Sequence, residues 1–266
     1  MSTLIPQSMS FFFSSDPENK AQTVSAGGSQ FTVVLDRPLA LPKNAVNATL
    51  SIIQSSIWNT SPNVSPSFTN NIFRFRTSGN YYTITFPEGL YSLNGFGSFL
   101  AIQFANLQLP SNLFVISGDE STQRTIITFL NAGDLVDFTV ANSVREILGF
   151  TSRVITAPAA AYNEYSDGPT NFNRVNSYLI RSNIVSQGIP INSIGANIIA
   201  QVPINVAPGS QINFQPQHPI PVDCSELIGF GKNVFQFSLC DQNLRPTPTA
   251  GETWDFVMVI NYYIRV

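Results

Sequence analysis

The chain has 266 residues, of which 11% are charged and 43% are hydrophobic, so a core is available but the charged surface is scarce compared with the usual share of about 25%. The net charge is −3, and the 13 Lys and Arg residues are scattered, which excludes a basic surface for direct nucleic-acid binding. A surface of Asn, Gln, Ser and Thr suits permanent packing against other subunits, although a weakly charged monomer would share this composition.

Residues 1–30 show no sustained hydrophobic period, and we predict that they form an extended N-terminal arm. No signal-peptide pattern opens the chain, and its one aromatic run is too short to span a bilayer, so we expect no membrane insertion. That run, Phe11, Phe12 and Phe13, belongs either to a disordered terminus or to a strap that docks on a neighbouring subunit. We take the three rings as candidate assembly contacts.

Ordered structure is predicted to begin with β-branched runs at residues 31–35 and 46–58. Strict alternation at residues 73–76, a turn, and a second run at residues 81–86 predict a β-hairpin. Apolar residues then recur at three- and four-residue intervals across residues 90–107, which predicts one amphipathic helix. Residues 151–174 have the composition of a loop.

A short motif occurs twice, at Ser143–Phe150 and at Asp223–Phe230. Each copy has a capping residue, an acidic residue, two apolar residues, Gly and Phe. One interpretation is a related corner in which Phe150 and Phe230 plug the end of a sheet, and these are our candidate structural corners. The other is that capping preferences alone select this pattern.

Many short strands and few helices predict a mainly β protein, a jelly-roll sandwich with an inserted smaller β-rich domain carrying one or two short helices. We assign residues 31–70 and 171–266 to the jelly roll and residues 71–170 to the insertion, after the arm. One enlarged sandwich is the alternative. The last predicted strand, within residues 254–266, alternates in a way that indicates a central, buried position.

No catalytic, cofactor or metal site is indicated by the sequence. The only histidine, His218, precedes Pro219, and no Gly-x-Ser-x-Gly elbow is present, so we expect no enzyme. Cys224 and Cys240 together with His218 are too few ligands for a closed zinc site. The two cysteines are either buried free thiols or a disulfide, and the sequence leaves that pairing open.

Two regions resemble a known family. Residues 233–242 and 254–260 look like the closing hairpin of vertex (penton) and minor capsid jelly-roll proteins from virophages, polinton-like viruses and adenovirus. Residues 84–107 and 147–150 are similar to the segment inserted in those proteins. The resemblance implies a structural virion protein, assembled inside the host cell as a homopentamer at the icosahedral vertices, in contact with the major capsid protein.

A carbohydrate- or receptor-binding jelly-roll module, of the spike or lectin-like kind, is the alternative function. Such a module would stack sugar rings on aromatic side chains in loops, for which Tyr162, Tyr165 and Phe172 are the candidates. The low charge favours the capsid interpretation.

Overall fold

The computed structural model describes residues 3–23, 25, 27–191 and 195–266. The chain divides into two compact units, residues 1–61 with 175–266 (unit 1) and residues 62–174 (unit 2). Each unit has its own hydrophobic core. The divisions lie near residues 61 and 175, whereas the sequence placed them near residues 70 and 171.

Seventeen strands and one α-helix, α1 (Leu93–Asn106), lie in these described ranges. The strands, in chain order, are β1 (Leu4–Ser14), β2 (Gln22–Thr23), β3 (Gln30–Leu39), β4 (Ala45–Trp58), β5 (Ile72–Thr77), β6 (Asn80–Thr85), β7 (Phe114–Asp119), β8 (Arg124–Phe129), β9 (Leu135–Asp137), β10 (Val154–Thr156), β11 (Tyr162–Pro169), β12 (Ser177–Ser182), β13 (Ile198–Pro203), β14 (Gln211–Phe214), β15 (Val222–Asp223), β16 (Lys232–Cys240) and β17 (Asp255–Arg265).

Unit 1 consists of two antiparallel sheets. Sheet 1 has the order β1-β17-β4-β14, with β15 also paired to β4, and sheet 2 has the order β13-β12-β16-β3-β2. Its eight principal strands pair in a nested manner: β1 with β17, β3 with β16, β4 with β14, and β12 with β13. Nested antiparallel pairing divided between two sheets is the topology of a jelly roll. The predicted mainly β, jelly-roll class is therefore confirmed.

Aromatic side chains from both sheets fill the space inside this sandwich. Trp254, which immediately precedes β17, and Phe256 of β17 are at most 1% exposed, as are Phe31, Phe235 and Phe237 of sheet 2. The Trp254 indole N–H donates to the Gly28 carbonyl at 3.0 Å, which satisfies the single polar group of that ring. As predicted, β17 is a central strand, since it lies between β1 and β4.

The N-terminal segment differs from the predicted arm. Residues Leu4–Ser14 form β1 and pair with β17 along the whole length of the strand. Met9, Phe11 and Phe13 face the core and alternate with the exposed Ser10 and Phe12. The sequence obscures this period of two, because Phe12 interrupts the alternation of apolar and polar residues. The segment is therefore an edge strand of the jelly roll, because a long hydrogen-bonded partner and a buried face compensate its polar composition.

The proposed closing hairpin also differs from what the structure contains. β16 pairs with β3 and β12 in sheet 2, whereas β17 pairs with β1 and β4 in sheet 1. The two strands face each other across the core, with the Phe237 and Phe256 ring centroids 4.9 Å apart. Consecutive alternating strands look the same in sequence whether they pair directly or pack face to face.

Unit 2 contains a four-stranded sheet of order β10-β9-β5-β6, a three-stranded sheet of order β11-β8-β7, and α1. The predicted hairpin is confirmed as β5 and β6, and the predicted helix is confirmed as α1, which buries Phe96, Leu100 and Phe104. Ser92 begins the helix, since its Oγ accepts from the Gly95 N–H at 3.1 Å.

The predicted loop at residues 151–174 is wrong in part, because this segment contains β10 and β11. Each is an edge strand of its sheet. Edge strands tolerate Gly and Pro, and Gly168 and Pro169 lie at the end of β11, after a shift in its register with β8.

Candidate assembly surface

The outer face of sheet 1 is the side turned away from the sandwich core. The register of β1 with β17 places on it Leu4, Pro6, Ser8, Ser10, Phe12 and Ser14 together with Asp255, Val257, Val259, Asn261, Tyr263 and Arg265. Of these twelve side chains only Asp255 and Arg265 are charged. On a sheet face that is exposed to solvent, many of the outward side chains are normally charged. A face with so few charged side chains has the composition of a covered surface.

Exposed apolar side chains lie on this face. Phe12 is 62% exposed and is paired with Val257 of β17. At the other end of the same two strands, Leu4 is 46% and Tyr263 is 40% exposed. Together they leave apolar area in water along β1, which is also the edge strand of sheet 1.

The three candidate assembly contacts have different environments. Phe13 is 3% exposed and packs against Phe237 and Phe256, with ring centroids 4.7 and 5.7 Å away. Phe11 is partly buried and stacks on Phe13 at 6.0 Å. The expectation that all three rings dock on a neighbour is corrected for these two, because alternation along a strand turns Phe11 and Phe13 inward. Phe12 alone points outward.

The first structural corner has a buried ring. Phe150 is 4% exposed and stacks on Phe138 with centroids 4.8 Å apart. Ser143 Oγ accepts from the Arg145 N–H, and the Phe150 N–H donates to the Arg145 carbonyl at 2.8 Å. The turn thus folds back on itself, which carries the Phe150 ring into the core of unit 2.

The prediction for the second corner, that Phe230 plugs the end of a sheet, is corrected. Phe230 is 75% exposed, so in the described part of the chain its ring does not plug the end of a sheet. Its short helix, Ser225–Leu227, begins and ends one motif position later than the helix of the first copy, Val144–Glu146, and it receives no side-chain hydrogen bond at the cap. The two copies therefore form their turns differently, and the shared sequence does not give Phe230 the packing role of Phe150.

Sheet 2 has a polar pocket on its outer face. The pocket has a volume of about 190 Å³ and is lined in part by Arg181, which is paired with Ser238 of β16. Asn183, Asn197 and Gln236 also line it. Sequence inspection singled out neither Arg181 nor Asp255. The available signals were a lone cation inside the buried strand β12 and the alternation of β17.

The cysteines and the histidine do not converge. Cys224 and Cys240 are both buried free thiols, and burial raises the pKa of Cys224 to about 12. His218 lines a different, mostly apolar pocket of about 170 Å³. Throughout the described residues, no group of three or more His, Cys, Asp and Glu side chains could hold a metal ion. No helix in this part of the chain has the length and apolar character needed to cross a membrane.

Comparison with known proteins gives structural likenesses but no match to a family model. The sequence matches no protein-family model, and no curated protein matches it. A crystal structure of the selenomethionine-labelled mavirus penton protein aligns with 98% of this chain and 100% of its own chain, at 11% identity and a TM-score of 0.45.

Proposed function

We propose that this protein is a structural virion protein, a penton that forms pentameric vertices of an icosahedral capsid and contacts the major capsid protein there. Two features support the proposal. The residues that carry the resemblance to vertex proteins form β16 and β17, the last two strands of a jelly roll. The low charge of the chain is typical of a surface that is covered in an assembly.

The observation that carries the proposal is the outer face of sheet 1. Phe12 is more than half exposed there, on a face whose six positions in β1 carry no charge. A monomer would leave this apolar area in water, which costs about 25 cal/mol per Å². Covering it by another subunit removes that cost.

We infer a ring, and the asymmetry of the sandwich supports this inference. The outer faces of sheets 1 and 2 differ in composition, so a contact between them is heterologous, and a heterologous contact that closes generates a ring. We infer five copies from the resemblance to vertex proteins. The role we propose is non-enzymatic.

Native mass spectrometry of the purified chain at micromolar concentration tests this proposal. We expect a pentamer, and electron microscopy should show rings with five-fold symmetry. A stable monomer over the whole concentration range would contradict self-association. Cryo-electron microscopy of particles should then locate the protein at the vertices, and its absence from particles would refute the virion role.

The alternative, a carbohydrate-binding module, retains one of its three candidate rings. Tyr165 is 49% exposed and could stack on a sugar. Tyr162 donates to Glu164 Oε2 at 2.5 Å, and Phe172 packs against Phe96 with centroids 6.2 Å apart. A glycan array separates the two functions: binding that is lost in Tyr165→Ala would favour the carbohydrate module, and no binding would favour the capsid role.

A further inference from the structure

Asp255 is a carboxylate on the outer face of sheet 1 that has no partner among the described residues. It lies in register between Ser14 of β1 and Ser56 of β4. Within the described ranges, its carboxylate takes part in none of the hydrogen bonds and ion pairs, and its partial burial raises its pKa by desolvation. Val257 lies two residues along the strand, about 7 Å away on the same face. The carboxylate has therefore lost part of its hydration, and no hydrogen bond or ion pair within the described ranges compensates for that loss.

Arg181 is the converse feature on the outer face of sheet 2. Its Nε donates to Asn197 Oδ1 at 2.9 Å, and Asn197 Nδ2 in turn donates to the Ser182 carbonyl at 2.9 Å. This chain of hydrogen bonds fixes the orientation of the guanidinium group. Among the described residues that line the pocket, none is Asp or Glu, and Arg181 takes part in none of the ion pairs found in those ranges.

We propose that Asp255 of one copy pairs with Arg181 of the next copy, with the outer face of sheet 1 packed on the outer face of sheet 2. This inference rests on the proposed self-association and names the contact that would produce it. A preorganised guanidinium surrounded by amide groups is a good site for a carboxylate, since it can donate two parallel hydrogen bonds. The pair would satisfy a half-buried charge on each side.

Apolar side chains on both faces support the same contact. On sheet 2, Val34 and Val234 form a cross-strand pair that is 45% and 39% exposed. On sheet 1, Phe12 and Val257 form the corresponding apolar pair. Burial of these side chains would supply the affinity, whereas the single charge pair would set the register of one sheet on the other.

Charge reversal tests the pair. We expect Arg181→Glu and Asp255→Arg, each alone, to reduce the fraction of assembled protein by at least about tenfold in native mass spectrometry, because each places like charges together. The combined variant, Arg181→Glu with Asp255→Arg, should recover most of the assembly, since the pair is restored with its polarity reversed. Such recovery requires a folded chain, so it also excludes misfolding as the cause of the losses.

Matched controls reverse exposed charges elsewhere: Lys43→Glu for the first variant and Glu120→Lys for the second, both of which should assemble like the wild type. If the wild type assembles and the single reversals do too, or if the combined variant loses assembly as the singles do, the pairing is wrong and the proposed function stands. If the wild type remains a monomer, self-association itself is refuted, and the pairing with it. If free acetate binds at Arg181 and Asp255→Arg does not change assembly, the pocket is a small-anion site and the pairing is wrong.

Discussion

The ring of Phe13 in β1 packs against the ring of Phe237 in β16 with centroids 4.7 Å apart. These residues belong to opposite sheets, so the contact ties the first strand of the chain to the far side of the sandwich. Phe12, the next residue back, is on the other face of the same strand and is 62% exposed. One strand therefore serves both the core and the proposed assembly surface.

Replacing these two neighbours should separate stability from assembly. We expect Phe13→Ala to lower the free energy of unfolding by about 3–5 kcal/mol, because it removes a buried ring. We expect Phe12→Ala to change it by less than about 0.5 kcal/mol while weakening self-association. Denaturant unfolding and light scattering measure the two effects. Equal stability losses in both variants would show that the alternation along β1 is wrong.

Deletion of residues 1–14 should unfold unit 1. The deletion removes β1, one of the two strands that pair with β17, and exposes the core around Phe256. An unprotected strand edge also promotes aggregation. Near-ultraviolet circular dichroism and limited proteolysis check this outcome. A truncated chain that keeps native spectra and protease resistance would restore the view that this segment is a dispensable arm.

The two Phe corners should respond differently to truncation. Phe150→Ala should cost about 3–5 kcal/mol, since its ring is buried against Phe138. Phe230→Ala should stay within about 0.5 kcal/mol, because its ring is in water. Thermal or denaturant unfolding of the two variants provides the comparison. A large loss for Phe230→Ala, seen only in the assembled protein, would place this ring in a subunit interface.

Two glycines with positive φ allow a matched backbone test in unit 2. Gly149 has φ +77°, and a Cβ there would lie 2.4 Å from the Gly168 carbonyl oxygen. Gly133 has φ +80° and open space around the same position. We expect Gly133→Ala to cost about 1–2 kcal/mol from backbone strain alone. Gly149→Ala adds a steric clash and should cost about 2–5 kcal/mol. Similar losses would indicate that the corner is free to relax.

The buried thiols should make stability fall in alkaline solution. Burial raises the pKa of Cys224 to about 12 and also raises that of Cys240. The unfolded thiols ionise near pH 8.5, so above about that pH the unfolded state binds fewer protons and is favoured. The loss should continue up to the folded pKa.

Unfolding measured at neutral pH and at about pH 9.5 tests the thiol effect. The Cys224→Ala and Cys240→Ala double variant is the control, because other groups also titrate in this range. Its stability should depend less on pH than that of the wild type. Rapid reaction of the native thiols with a disulfide reagent at neutral pH would contradict their burial.

Local patterns determined much of this protein. The helix α1 and the hairpin of β5 and β6 follow from periods of 3.6 and 2, which depend only on neighbouring residues. The alternation from Trp254 onward was enough to indicate a central strand. The scarcity of charge, a property of composition alone, pointed to a covered surface.

Tertiary structure decided the rest, because it depends on partners that are distant in sequence. β1 became a strand through its pairing with β17, more than two hundred residues away, and only that pairing turns Phe13 inward and Phe12 outward. The separation of β16 and β17 into opposite sheets likewise depends on β3 and β4. The positions of Asp255 and Arg181 on two different faces follow from the same sheet assembly, since no local pattern specifies which sheet a strand joins.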